Sequence, residues 1–286
     1  MGGLDDLTGS SYGPFVVEVS ADRVTAFAAA IGDDPHRWLR FAPPLFANAA
    51  LFAAAPAFLE DPAVAELTRS LIHSEQQYTW SRPLEVGEVV AVAGTVASVR
   101  ARGALNLVTF EVEVHSAAGP WLTGSSLFLM AAEAAASGAD EPEPPVALRP
   151  LFAGGGTAAE LPESGGSLPP YPCGASRADL VRYAAASRDW NPIHWDHDSA
   201  RGAGLPGTIV HGLLMAAWMA NAVCRLVPGG DPLREMRVRF RNPLRPAVAA
   251  EVTGTVVSSG GRGAEVDLIL ATGDERLATG RIRVTR

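Results

Sequence analysis

The sequence predicts an α+β protein made of two copies of one domain, each with an antiparallel sheet wrapped around a long central helix. Two observations support this prediction. An internal repeat relates the two ends of the chain, and in the second half an apolar helix precedes a series of alternating strands. The length of 286 residues and the 48% hydrophobic content suit one large or two ordinary domains with a sizeable core.

The repeat consists of two aligned blocks in the same order. Residues 20–34 resemble residues 176–190, with small and apolar residues recurring at matched positions. Residues 75–98 resemble residues 235–258, where Pro-Leu and Gly-Thr-Val recur. The offset between copies changes by only a few residues from one block to the next. Chance does not readily give two such blocks, so we infer a duplicated domain related by a pseudo-twofold axis.

A change of composition separates the copies. The segment 136–171 contains DEPEPP, AGGGT and ESGGS, which is typical of a Pro/Gly-rich linker. We therefore predict a first domain over 1–135 and a second over 172–286.

The elements of the second half follow one another clearly. A short helix is expected over 178–187, an irregular loop around Pro192, and an apolar helix from Gly212 to about Leu226. Four strands then follow, with apolar residues on alternate positions, which favours an antiparallel sheet with one face in water. The expected strands are Met236–Asn242, Val248–Ser258, Ala264–Ala271 and Leu277–Thr285.

Composition excludes several functions. The net charge of −8 argues against a nucleic-acid binder, and all 23 basic residues are Arg, which excludes a Schiff-base lysine. Cys173 and Cys224 do not suffice for a disulfide framework or a cysteine zinc site. The first ten residues are acidic and contain no apolar run, so we expect no signal peptide, and the apolar stretch Thr208–Val223 is too short to span a membrane. We expect a cytoplasmic protein.

Asp189 and His194 are the strongest candidates for chemistry. They lie five residues apart on the irregular loop, where a carboxylate and an imidazole can hold one water between them. Such a pair can add or remove water across a double bond next to a carbonyl. Gly212 opens the apolar helix, where free N–H groups can polarise a thioester oxygen. The ordinary alternatives are a solvated loop and a glycine kept for close packing.

Residues 187–218, SRDWNPIHWDHDSARGAGLPGTIVHGLLMAAW, resemble the signature of the MaoC-like, or hydratase 2, family of hot-dog enzymes. The first half resembles the degenerate N-terminal repeat of double hot-dog members. The resemblance implies a double hot-dog fold and reversible hydration of a trans-2-enoyl thioester to an (R)-3-hydroxyacyl thioester.

The resemblance also implies roles for individual residues. Asp189 and His194 are the catalytic pair, Asn191 supports the water and the loop, and the amide of Gly212 contacts the oxyanion. It does not decide which of the pair handles which proton. Arg188 stands where relatives often have a small or acidic residue, and we expect it to point to solvent.

The first half lacks this machinery. Asp33 aligns with Asp189, but Trp38 aligns with His194 and Pro44 falls near Gly212. The resemblance implies that this half gives up chemistry and forms part of an acyl pocket. The alternative for Trp38 and the neighbouring aromatic residues is ordinary core.

Binding partners follow from the same reasoning. Arg237, Arg239 and Arg241 alternate along one strand, where they contact coenzyme A or an acidic carrier protein, or simply form a solvated face. The cluster from His194 to Asp198 is geometrically awkward for a metal, so we expect no metal and no cofactor beyond the coenzyme A or phosphopantetheine of the substrate. We expect no nucleic acid and no membrane as partners.

The sequence thus predicts a hydro-lyase acting on enoyl or 3-hydroxyacyl thioesters, linked to coenzyme A or to an acyl carrier protein. A hot-dog acyl thioesterase and a non-catalytic acyl-thioester-binding subunit are the alternatives. The chain is expected as a pseudo-dimeric monomer or a homodimer. Acyl length, carrier and physiological direction are left open.

Overall fold

The computed structural model describes residues 7–65, 67–68, 70–133, 160–227, 232–261 and 263–285. The helices of these ranges are α1 (Ala21–Ala30), α2 (Ala47–Leu59), α3 (Pro62–Ala65), α4 (Arg177–Ser187), α5 (His197–Gly202) and α6 (Gly212–Cys224). The strands are β1 (Ser11–Glu18), β2 (Ser70–Trp80), β3 (Val89–Arg102), β4 (Leu105–Ser116), β5 (Gly119–Ala131), β6 (Tyr171–Cys173), β7 (Leu233–Phe240), β8 (Ala250–Gly260), β9 (Gly263–Thr272) and β10 (Glu275–Val284).

The strands form one continuous antiparallel sheet in which the two halves are mirrored in order. The order is β1-β3-β4-β5-β2-β7-β10-β9-β8-β6, and β2 pairs with β7 at the centre. Read outward from that junction, the second half repeats the first with every strand number raised by five. This confirms the α+β double hot-dog prediction, with the two predicted sheets joined edge to edge.

The long helices α2 and α6 lie inside the curve of the sheet. Helix α2 packs on β1, β3 and β4, and α6 packs on β7, β8, β9 and β10. Residues 213–224 of α6 are all buried, which explains why the helix is apolar on every side. No helix in the described ranges is long and apolar enough to cross a membrane.

Helices α1 and α4 pack against each other between the two halves. Both begin with a serine cap at matched positions of the repeat. Ser20 accepts a hydrogen bond from the amide of Arg23, and Ser176 forms a capping box with Asp179. The recurring Ser therefore has a structural reason, since each helix needs its first amides satisfied.

The predicted elements of the second half agree with the structure to within a few residues at most ends. Helix α6 ends at Cys224 rather than Leu226. The structure also contains two elements that the sequence did not predict, helix α5 and strand β6. Helix α5 begins after Asp196, whose side chain accepts from Ser199 N. Strand β6, only three residues long, adds to the sheet edge by pairing with β8; its proline gave no strand signal.

The predicted domain limits stay a prediction. Residues 134–159 lie outside the described residues, and with them most of the predicted linker. Its last part, from residue 160, packs on the second half: Leu161 and Leu168 are buried, and the Leu168 amide donates to Gly254 O.

Candidate active site

The end of helix α4 directs Asp189 into the protein. Arg188 takes the left-handed conformation, with φ 66°, and turns the chain after the last helical residue. Ser187 Oγ donates to Tyr183 O and accepts from the Asp189 amide, which fixes the turn. Asp189 is consequently only 6% exposed, whereas Arg188 and its other neighbour, Trp190, are exposed. Arg188 therefore points to solvent, as the sequence predicts.

Asn191 and Pro192 position His194. The Asn191 side chain accepts from the amide of Ile193 at 3.3 Å and caps a 3-10 turn that runs from Pro192 to His194. His194 Nδ1 lies 2.8 Å from Ile209 O. A carbonyl oxygen only accepts, so Nδ1 carries the proton and Nε2 keeps a free lone pair. The loop role expected of Asn191 is visible here, and its support of a water molecule stays a prediction.

His211 completes the cluster. Its Nε2 donates to Asp189 O at 3.3 Å, and its ring stacks on His194 with centroids 3.8 Å apart. The His211 ring also contacts Tyr183 in a T-shaped arrangement, with ring centroids 4.8 Å apart. Among the described residues, its Nδ1 is buried and has no hydrogen-bond partner. His211 thus fixes both the backbone of Asp189 and the ring plane of His194.

The reactive atoms converge. A carboxylate oxygen of Asp189 and one ring nitrogen each of His194 and His211 all lie within 4.8 Å of one another. Two groups at about this separation can both hydrogen-bond one water molecule or one substrate hydroxyl, since each bond spans about 2.8 Å.

Burial shifts both members of the pair away from their usual protonation states. Desolvation raises the pKa of Asp189 to about 7, against a weaker opposing effect of the Asn191 amide. Desolvation also lowers the pKa of His194 to about 4 and that of His211 well below its ordinary value. At neutral pH, His194 is therefore an uncharged base, and Asp189 is present in both its protonated and its ionised form.

The start of α6 supplies hydrogen-bond donors. The amides of Leu214 and Met215 donate to His211 O. In the described structure, the amides of Gly212 and Leu213 have no acceptor, and the His211 side chain does not cap the helix. The ring of Phe240 lies 3.4 Å from where a Cβ of Gly212 would stand. Two free N–H groups at a helix N-terminus suit an oxyanion or a thioester oxygen.

Asp189, His194 and His211 are also close enough to be considered as metal ligands. The stacked imidazoles make a poor set, however, because their ring planes are inclined by only 26° and their centroids lie 3.8 Å apart. An ion about 2.1 Å from a nitrogen of each ring would lie far out of both planes. Geometry therefore favours acid–base chemistry over coordination at this cluster.

The matching positions of the first half hold an inert arrangement. Trp38 Nε1 donates to Asp33 Oδ2 at 2.9 Å, and Arg37 donates to the same carboxylate. Trp38 is buried, as are Leu45 and Phe46 at the approach to α2. The carboxylate of Asp33 is thus neutralised by a cation and faces an indole instead of a basic nitrogen.

The three predicted arginine contacts lie on the outside of the sheet. Arg237 Nε and Arg239 Nε donate to the two oxygens of Glu75 across the β2–β7 junction, at 2.6 and 2.7 Å. Arg241 follows β7 on the same alternation and is exposed. These side chains alternate with Phe240, whose ring lies 3.4 Å from where a Cβ of Gly212 would stand. Their contact with coenzyme A or a carrier protein stays a prediction.

Three residues of the site were not identified from the sequence as functional. His211 directly precedes Gly212, and Tyr183 lies in the short helix expected over 178–187, but no role in the site was expected for either residue. Asn48, which bonds Tyr183 from the other half, carried no signal beyond being a polar residue in an otherwise apolar helix.

Fold and site together define a double hot-dog protein with a buried cluster of Asp189, His194 and His211 among its described residues. Family comparison agrees: residues 163–272 match the model described as MaoC like domain, and residues 6–122 match the FAS1-like, dehydratase domain region. The second half of the chain is thus similar to MaoC-like domains, and the first half is similar to the dehydratase region of FAS1-like proteins.

Two relatives of the chain are named as dehydratases. The chain is 33% identical over 202 residues to 3-hydroxyacyl-thioester dehydratase X of Mycobacterium tuberculosis, covering 69% of this chain and 62% of that one. It is 35% identical over 81 residues to a mitochondrial 3-hydroxyacyl-[acyl-carrier-protein] dehydratase of Arabidopsis thaliana, covering 28% of this chain and 47% of that one. A solved MaoC-like dehydratase superposes with a TM-score of 0.82 over 99% of both chains at 21% identity, which supports the fold.

Proposed function

We propose that this protein interconverts (R)-3-hydroxyacyl thioesters and trans-2-enoyl thioesters by removing or adding water. The observation that carries the proposal is the buried pair of Asp189 and His194, with pKa values shifted in opposite directions, beside the free amides at the start of α6. The names of the two dehydratase relatives support the same chemistry.

The proposed dehydration gives each group one role. The thioester oxygen accepts hydrogen bonds from the amides of Gly212 and Leu213, which acidifies C2 of the acyl group. His194 Nε2, with its free lone pair, takes the C2 proton. The protonated carboxyl of Asp189 gives its proton to the C3 hydroxyl, the C3–O bond breaks, the C2–C3 double bond forms, and water leaves. Transfer of the proton from His194 to Asp189 restores the site.

Hydration runs through the same steps in reverse. The Asp189 carboxylate accepts a proton from water as the oxygen attacks C3, and protonated His194 delivers a proton to C2. The raised pKa of Asp189, about 7, serves both directions because the carboxyl is close to half-protonated at neutral pH.

A groove beside the loop offers a route for the substrate. It has a volume of about 540 Å³ and lies between the two halves, with Phe52 and Pro56 of α2 on one side and Arg188 and Trp190 on the other. Arg188 and Trp190 flank Asp189 in the chain, but Asp189 itself does not line the groove, so its use as the approach of the acyl thioester arm is part of the proposal.

Carrier, assembly and location belong to the proposal as well. The acyl group is carried by coenzyme A or by an acyl carrier protein. The chain, which supplies its own pseudo-twofold partner, works as a pseudo-dimeric monomer or as a homodimer, in the cytoplasm and without a metal or redox cofactor. Both cysteines are buried and neither forms a disulfide bond, as suits a reducing compartment.

The direct test is a product assay on the purified full chain. Short and long (R)-3-hydroxyacyl-CoA substrates, and the same acyl groups loaded on a carrier protein, are followed by the ultraviolet absorbance of the enoyl thioester. We expect enoyl product without release of free thiol, and an unchanged rate after treatment with a chelator. Thiol release would identify a thioesterase, and tight binding without turnover would identify a binding subunit; either result would overturn the proposal.

A further inference from the structure

A buried polar network connects the first half of the chain to the catalytic pair of the second half. It begins at Asn48, in the first turn of α2. Asn48 Nδ2 donates to Tyr183 Oη at 3.0 Å and to Leu213 O at 3.1 Å, and its Oδ1 accepts from Tyr78 Oη at 3.0 Å. Neither Asn48 nor the two tyrosines are more than 1% exposed.

From Tyr183 the network continues to the reacting groups. The Tyr183 ring packs against His211, and the His211 ring stacks on His194. His211 also holds the backbone carbonyl of Asp189. A displacement of Tyr183 is thus transmitted to the ring plane of His194 through direct contacts.

Asparagine suits this position for a chemical reason. Its amide offers two N–H donors and a carbonyl acceptor, and the three partners use all of these functions. In a dry interior such bonds are strong and directional, and an unpaired member is costly. The bond to Leu213 O also ties α2 to the first turn of α6, which carries the free amides.

The fold itself does not require this network, as the repeat shows. The residue matching Tyr183 in the first half is Phe27, and the residue matching Tyr78 in the second half is Val238. Asn48 is the second residue of α2, and the second residue of α6 is Leu213. Each polar member thus has an apolar counterpart that packs in the same architecture on the other side of the pseudo-twofold axis.

We propose that Asn48 is a positioning residue, supplied by the half without the catalytic pair, that holds Tyr183 and thereby His211 and His194 in the reactive arrangement. This inference rests on the proposed dehydratase function. It gives the first half a specific part in catalysis besides shaping the groove.

The repeat itself supplies the variants. Asn48→Leu and Tyr183→Phe each introduce the residue that the other half uses at the matching place. Ser126→Ala is the control, because it removes one buried hydrogen bond of the same half, from Ser126 Oγ to Gln76 Oε1, that involves no member of the network. Thermal unfolding of each variant measures the structural cost separately.

Two readouts distinguish positioning from stability. We expect both network variants to lower kcat about tenfold with KM within about twofold, and Ser126→Ala to leave kcat within about twofold even where its melting temperature falls. We also expect the imidazole signals of His194 and His211, seen by NMR with labelled histidine, to shift in Asn48→Leu and to stay in place in Ser126→Ala.

The outcomes separate the two proposals. Unchanged kcat and unchanged histidine signals in folded Asn48→Leu would overturn the positioning role, as would an equal loss of kcat in Ser126→Ala. If the wild-type chain turns over no thioester, the proposed function fails. The histidine signals still test the positioning role in that case, because they need no turnover.

Discussion

The two halves of the chain place a carboxylate at the same point of the same fold and treat it in opposite ways. In the first half, Asp33 receives hydrogen bonds from Arg37 and Trp38. In the second, Asp189 has no cation among its described partners, and burial raises its pKa to about 7. The same fold position can therefore hold a paired or a titratable carboxylate, because the neighbouring groups, and not the fold, determine how readily the carboxylate binds a proton.

The starts of the two central helices differ in the same sense. Helix α2 is entered through a 3-10 turn from Pro44 to Phe46 that continues directly into the helix. Helix α6 begins abruptly at Gly212, after an extended His211, and leaves two amides free. The first half therefore has an ion pair and a central helix that is entered through a 3-10 turn. The second half has a titratable acid and a central helix whose first two amides are free.

The largest loss of activity is expected from substitutions of Asp189 and His194 in the second half. Asp189→Asn and His194→Gln each remove one proton-transfer group while preserving size, so we expect kcat to fall about 1000-fold. Initial rates of enoyl formation measure this, with circular dichroism as the check on folding. A loss below tenfold in either folded variant would contradict the assignment of the pair.

The N–H of Gly212 at the start of α6 can be removed by substitution, which tests its proposed hydrogen bond to the oxyanion. Gly212→Pro deletes the N–H but suits the first helical position, and His211, at φ −56° and ψ 130°, already has a backbone that proline accepts after it. We expect kcat/KM to fall about 100-fold. Gly212→Ala keeps the N–H and meets Phe240 at an ordinary 3.4 Å, so its rate should stay within about threefold. Equal losses in both variants would show that shape, and not the N–H, matters.

The buried acid also gives stability a specific pH dependence. The pKa of Asp189 is near 3.8 when unfolded and about 7 when folded. The unfolded chain therefore loses this proton first, and the free energy of unfolding falls as pH rises between about 4 and 7. Asp189→Asn has no such proton to lose. The free energy of unfolding of the variant, minus that of wild type, should therefore increase between about pH 4 and 7 and then stay constant, with a total increase of at most about 4 kcal/mol. Denaturant unfolding at pH 5 and pH 8 measures it. A constant difference between variant and wild type would contradict the raised pKa.

The smallest effect concerns the backbone before each carboxylate. Gly32 and Arg188 occupy matching positions, and both are left-handed, with φ 73° and 66°. Gly32→Ala should lower the free energy of unfolding by about 1 kcal/mol, because a Cβ is disfavoured there, and Arg188→Gly should raise it by a similar or smaller amount. Thermal unfolding compares the two, and a stabilising Gly32→Ala would contradict the shared conformation.

The sequence predicts the architecture well because the features that encode it are local or repeated. The recurring Ser caps, the apolar run of α6 and the alternation around Val238 each leave a pattern that can be read from the chain. Strand β6 escaped because three residues with a central Pro172 leave no such pattern.

The site was predicted in part for the same reason. Asp189, His194 and Gly212 lie in one continuous motif, and the structure places Asp189 and His194 beside His211, the residue before Gly212; their catalytic roles stay a prediction. Asn48 meets Tyr183 across a separation of 135 residues, and no local pattern encodes such a contact. The shifted pKa values depend on burial in the folded protein, which a motif does not record.

The most direct test of the account compares matched carboxylates in the two halves. Dehydration of an (R)-3-hydroxyacyl thioester is measured for wild type, Asp33→Asn and Asp189→Asn under identical conditions. We predict that wild type and Asp33→Asn form the enoyl product at similar rates, and that Asp189→Asn forms almost none. Equal activity of Asp189→Asn and wild type, or a loss confined to Asp33→Asn, would contradict the assignment of catalysis to the second half.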